Sequence, residues 1–189
     1  MCYSEMFLRI LRIMLERNPV DRDDQIMDYT FNRPGGGSFK GEEILDEIID
    51  YFQADRQRAY LLSVGTDSRQ LAERSSFVTV IALHRKGCGG RYYWRQLYRR
   101  RFKALQPRIQ LEAELSLQTV MELTKALEPR LNVLTVVPEF ELEVHVDIGK
   151  NGATGRLINQ IAGMISGCGY QVRTKPEAYC AAVLADSHV

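Results

Sequence analysis

Between residues 59 and 99 three strand-like runs follow one another with no room for a helix between them. The first, over 59–66, is led by Tyr60-Leu61-Leu62-Ser63-Val64. The second, SFVTVIALHR at 76–85, is β-branched and apolar. KGCGG at 86–90 is a glycine-rich turn, and RYYWRQLYR at 91–99 reads as the third run. Strands joined so tightly pair antiparallel, so the chain contains a meander. The period then changes. PRIQLEAELSLQTVMELTKALEP, 107–129, predicts a long helix, with Pro107 near its start and Pro129 after its end. EFELEVHVDIG, 139–149, alternates Phe140, Leu142, Val144 and Val146 as a strand does. A helix over 151–169, a strand over 170–175 and a final helix over 176–189 complete the chain. Upstream, SFKGEEILDEIIDYF sets Ile44, Ile48, Tyr51 and Phe52 on one helix face. Ser38 is its expected N-cap, and Glu42, Glu43, Asp46 and Glu47 lie near its start. The order helix-β-β-β-α-β-α-β-α predicts an α/β domain. Its mixed five-stranded sheet joins the antiparallel meander to parallel strands reached by crossover helices.

The 189 residues suit one such domain plus an appendage. The boundary is expected near residue 30, with 1–30 as an extension and 31–189 as the main fold. RPGGGS at 33–38 reads as a linker or loop. A net charge of +1 decides nothing about polyanionic partners. The four cysteines are scattered, with no C-x-x-C, which argues against zinc and against a disulfide framework. Reduced thiols and a cytoplasmic location are the expectation. No apolar run approaches the ~20 residues a bilayer needs, so no membrane span is expected. MFLRILRIMLER at 6–17 is broken by Arg9 and Arg12 and precedes no cleavage site. It is read as a docking helix or extension, not a signal.

Four acids stand out by position. Asp67 follows the first strand of the meander, in VGTDS, and Asp147 follows a later strand, in HVDIG. Sites in open α/β sheets form beyond strand carboxyl ends. On the long helix, positions stacked with Glu112 are Leu115, Ser116, Thr119, Val120 and Leu123, so Glu112 faces the sheet. Glu114 stacks with Gln118, Met121, Glu122 and Lys125 and faces water. Asp186 lies near the end of an alanine-rich final helix. Each has a plain alternative: turn residues for Asp67 and Asp147, a first-turn dipole partner for Glu112, a frayed surface acid for Asp186. Together they would repel unless cations intervene, and hard divalent ions favour oxygen ligands.

This order of acids and elements resembles the ribonuclease H-like arrangement. More specifically, GTDSR at 65–69, RIQLEAELSL at 108–117, HVDIGKNGATGRLI at 145–158 and TKPEAYCAAVLADSHV at 174–189 resemble the bacterial YkuK family of ribonuclease H-like proteins. The resemblance runs from about Phe31 to the C-terminus. Arg69 stands where that family usually has Gln. The resemblance implies a ribonuclease H-like fold and an acidic metal site at Asp67, Glu112, Asp147 and Asp186. It brings no substrate with it.

Two readings of function follow. In the first, Mg2+ or Mn2+ in a two-ion site supports hydrolysis of phosphodiester bonds in RNA, RNA–DNA hybrid or structured DNA. In the second, the fold is a non-catalytic nucleic-acid-binding or regulatory module; a protein-interaction role for the N-terminal helix is a third, weaker reading. RYYWRQLYRRRFK at 91–103 interleaves aromatics with Arg95, Arg99, Arg100 and Arg101, either as a phosphate-and-base surface or as a charged edge strand that deters aggregation. Lys175 is either a phosphate contact or a strand-end lysine. His145 is either an accessory to the acids or a satisfied strand histidine. His188 is either an aid to product release or a solvent-exposed chain end. NGATG at 151–155 reads as a cap after Asp147, not a P-loop.

Overall fold

The structure is a computed structural model that describes residues 28–148 and 155–189. The 6–17 segment and residues 151–154 of the NGATG turn lie outside the described residues. The elements are β1 (Thr30–Asn32), β2 (Ser38–Lys40), α1 (Gly41–Ala54), β3 (Tyr60–Gln70), β4 (Arg74–Arg85) and β5 (Gly90–Arg100). Then come α2 (Leu105–Asn132), β6 (Phe140–Val146), α3 (Gly155–Gly167) and β7 (Gln171–Thr174). The chain ends in a short C-terminal helix, a π-helical turn over Cys180–Ala185 and a 3-10 turn over Asp186–His188. Among the described residues no helix is long and apolar enough to cross a membrane.

The strands form one mixed sheet in the order β2-β1-β5-β4-β3-β6-β7. The meander β3-β4-β5 is antiparallel, and β6 and β7 add parallel to β3. Among the described residues the sheet has seven strands, not five, because RPGGGS is a hairpin turn. Gly35, Gly36 and Gly37 take φ of 85°, 97° and 104° there, a region open to residues without a Cβ. Phe31, fully buried, anchors the hairpin. Ser38 therefore lies in β2, and the N-cap of α1 is Lys40, whose N–H donates to Glu43 Oε2 at 2.7 Å.

Two other boundaries differ from expectation. Strand β3 runs on to Gln70, because β4 is long enough to pair with it throughout, Asp67 opposite Val78. Asp67 is thus inside a strand, one residue past the last parallel pair, Thr66 with Val146. Helix α2 continues to Asn132, with Pro129 inside it. Pro129 has no N–H to give the Lys125 carbonyl, yet Leu127 and Leu131 on either side of it continue the packed face.

The sheet has two unlike faces. Helices α1, α2 and α3 cover the first with one large apolar cluster. Ile44, Ile48 and Phe52 of α1, Val120 and Leu123 of α2 and Ile161 and Ile165 of α3 meet Leu62, Val64, Ile81, Leu83 and Val144 there. Each such side chain contributes about 1.5–3 kcal/mol on burial. Among the described residues the second face meets only the C-terminal helix, through Val78, Val80, Ala82, Cys180 and Ala185. That helix lies close because Gly65 has no side chain: a Cβ there would stand 2.7 Å from the Ala181 nitrogen.

Candidate metal and nucleic-acid site

Side chains of β3 alternate between these faces. Thr66 and Ser68 point to α2: Ser116 donates to Thr66 Oγ1 at 2.9 Å, and the Ser68 hydroxyl donates to Glu112. Ser63, Gly65 and Asp67 point to the C-terminal helix, where Ser63 meets the Tyr179 hydroxyl at 3.3 Å. Glu112 and Asp67 therefore approach the same stretch of strand from opposite faces.

Glu112 is 4% exposed. Burial pushes its carboxyl up to about 8, against the Ser68 hydrogen bond; the neighbouring Asp67 and Asp147 charges push the same way as burial. Asp67 is pushed up to about 6, first by burial and then by the carboxylates of Asp147 and Asp186; the Ser68 N–H and the Arg108 charge oppose this. Arg108, on the first turns of α2, also donates to the Ser68 carbonyl at 3.1 Å. Asp147 follows β6 directly, beside Asp67 in the parallel register. Its Oδ1 is buried and makes no directional hydrogen bond, yet the Lys175 ammonium is 2.8 Å away. The two form an ion pair whose geometry is off the hydrogen-bonding axis. Asp186, more than half exposed, opens the final 3-10 turn with Arg69 at 3.9 Å.

The four acids thus converge on the region where β6 stops and β3 continues, but each already has a partner. Among the described residues no three His, Cys, Asp or Glu side chains stand close enough to hold one ion. In kind the donors fit a hard divalent ion: all are carboxylates, and one oxygen of Asp147 is buried with only an off-axis cation beside it.

His145 and His188 are both engaged. His145 is buried, with Nδ1 accepting from the Cys180 N–H at 3.1 Å and Nε2 3.2 Å from Glu143 Oε2. Glu143 in turn pairs with Arg173 at 2.6 Å. The His145 pKa is lowered, chiefly by burial, so the ring is neutral and its proton sits on Nε2. His188 stacks on Trp94, ring centroids 4.3 Å apart, with Tyr92 Oη 3.2 Å from Nε2.

The basic segment is split by the alternation of β5. Arg95 and Arg99 share the helix-covered face with Tyr93, which donates to Glu47, and the Arg95 guanidinium lies 3.4 Å from the Tyr29 ring centroid. Tyr98 and Arg100 share the other face with Trp94, and Arg101 lies past the strand end. Three residues here carry no signal in the sequence: Arg108, Ser68 and Arg74, whose guanidinium lies 3.8 Å from the Tyr98 ring centroid. Only strand register brings Arg74 to Tyr98.

A Ribonuclease H-like family model matches residues 43–189. A Bacillus subtilis (strain 168) protein described as uncharacterized protein YkuK is 31% identical over 152 residues, covering 74% of this chain and 85% of the relative. The chain belongs to the YkuK family of ribonuclease H-like proteins. No solved structure matches it. For this ribonuclease H-like protein, the sheet order and the acids around β3 and β6 share one frame: the meander carries Asp67 and the next helix Glu112, Asp147 follows the parallel β6, and Asp186 opens the final 3-10 turn.

Proposed function

We propose that this protein is a metal-dependent nuclease that hydrolyses phosphodiester bonds in RNA, RNA–DNA hybrid or structured DNA. The observation that supports it is the closeness of Asp67, inside β3, to Asp147, which follows the end of the parallel β6, where no sheet-stabilising role calls for two carboxylates. Asp67 and Asp147 would hold Mg2+ or Mn2+ in a two-ion site, with Glu112 and Asp186 completing it. Such ions supply a nucleophile from water and offset charge on the leaving oxygen. The chain's own residues do the rest. Ser68 and Arg108 orient Glu112 and the strand beside Asp67. Lys175 and Arg69 pair with Asp147 and Asp186, and when an ion takes their place they are free to meet phosphate.

The test is Mg2+ and Mn2+ titration by calorimetry, with cleavage of a panel of single strands, hybrids and structured DNA. Wild type binds the ion and cleaves; Asp67→Asn loses both, by at least a hundredfold in rate. No ion binding and no cleavage that the mutant abolishes would sink the proposal. One observation favours a non-catalytic nucleic-acid-binding module instead: Lys175 and Arg69 already neutralise two of the acids. On that reading nucleic-acid binding survives Asp67→Asn unchanged and needs no divalent ion.

A further inference from the structure

The C-terminal helix covers the second face of the sheet only in part. Beyond it, β3, β4 and β5 present two rows in register. Arg69, Ser76 and Tyr98 form one row, and Arg74 and Arg100 form the next. The row before them is Asp67, Val78 and Gln96. Tyr98 is 41% exposed, and Arg74 covers part of its ring at 3.8 Å. Gln96 donates to Ser76 Oγ at 2.8 Å, which ties the two rows together. Arg74 stands directly opposite Arg100, and like charges in that position cost stability. A phosphate between them removes that cost.

We propose that this arginine–tyrosine face binds single-stranded nucleic acid and leads it to Asp67. The inference rests on the nuclease reading for what happens at Asp67, but not for the binding itself. Two strand spacings, roughly 10 Å, and two residues along β5, roughly 7 Å, separate Asp67 from Tyr98, which is within reach of a short extended strand. An exposed ring held by a guanidinium is a stacking platform that takes any base. Stacking on it requires a base whose face is free, so a duplex is a poor occupant. Two guanidiniums flanking the ring supply the phosphate contacts. An acidic protein would match the charge of the face but leave the ring unused.

Fluorescence anisotropy in EDTA, with labelled oligo(dT), oligo(U) and a duplex of equal length, tests this without any cleavage. Both single strands bind more tightly than the duplex, and affinity falls steeply with salt. Tyr98→Ala weakens binding about tenfold, and Tyr98→Phe restores it. Arg74→Ala with Arg100→Ala weakens binding and flattens the salt dependence. Arg99→Ala, on the helix-covered face, changes it less than twofold. Tyr98 is exposed, so its variants stay folded, which their thermal midpoints verify. Equal affinity for duplex and single strand, or no difference between Tyr98→Ala and Arg99→Ala, overturns the proposal; so does displacement of the oligonucleotide by polyglutamate as readily as by unlabelled strand. Metal-dependent cleavage that persists in such a case leaves the nuclease reading standing. Binding without cleavage leaves this one.

Discussion

The two faces of one sheet do different work. The first is dry and thick: three helices bury aliphatic and aromatic side chains against β3, β4 and β6. The second is thin, and a small apolar cluster there sits beside polar groups. It carries Ser63, Gly65, Asp67 and Arg69 from β3 and Glu143 and His145 from β6, under six residues of π-helix and one 3-10 turn. The same strand serves both because its side chains alternate. Stability is therefore concentrated on one side, and titratable groups can gather on the other at modest cost to the fold. Glu112 is the exception, reaching the acids from the dry side, and its pKa is raised further than that of half-buried Asp67.

Substitutions on the two faces should then behave differently. The largest loss of stability is expected on the first face. Phe52 is fully buried, its ring 4.8 Å from Tyr60 and 5.3 Å from Phe140. Phe52→Ala should cost about 3–5 kcal/mol in chemical denaturation. A loss below 1 kcal/mol would show that the first face is not the main source of stability.

Next is Gly65→Ala, on the second face, which forces a Cβ to 2.7 Å from the Ala181 nitrogen. The C-terminal helix must shift, at about 1–3 kcal/mol. Because His188 stacks on Trp94, the chain's only tryptophan, the shift should also change Trp94 emission. An unchanged spectrum with full stability would mean that the helix is not held where it lies by this contact.

The pH dependence separates the faces further. Glu112 and Asp67 have folded pKa values above their unfolded ones, so their contribution is fully present below about pH 4 and is lost as pH rises through about 6 and about 8. Wild type should lose stability between pH 5 and 9, and Glu112→Gln should remove most of that loss, on the order of a few kcal/mol. Thermal midpoints of the two proteins across that range check it; parallel curves would contradict the burial of Glu112. Added Mg2+ should raise the wild-type midpoint more at pH 8 than at pH 5, because deprotonated carboxylates bind it.

The smallest effect is expected from His188→Ala. Losing one exposed-edge stack should cost about 0.5–1.5 kcal/mol, again with a change in Trp94 emission.

Much of this architecture is legible along the chain. The meander, the long helix and the later β-α-β order follow from apolar period and turn residues, which are local signals. The sheet-facing side of α2, and with it the burial of Glu112, follows from helical spacing. The hairpin at Thr30–Lys40 was hidden because its strands are three residues each, too short for alternation to register. The full length of β3 was hidden because only its pairing with β4 extends it past Gly65-Thr66.

By itself the sequence determined the elements from α1 onward and their order, though not the β1–β2 hairpin, and which acids stand near their ends. Local sterics and hydrophobic period suffice for that. Tertiary structure decided which face each acid approaches from, that Lys175 and Arg69 meet Asp147 and Asp186, and that Arg95 and Arg99 turn away from the acids while Arg74 joins Tyr98. Those facts depend on strand register between segments far apart in the chain. A slip of one residue would reverse every one of them.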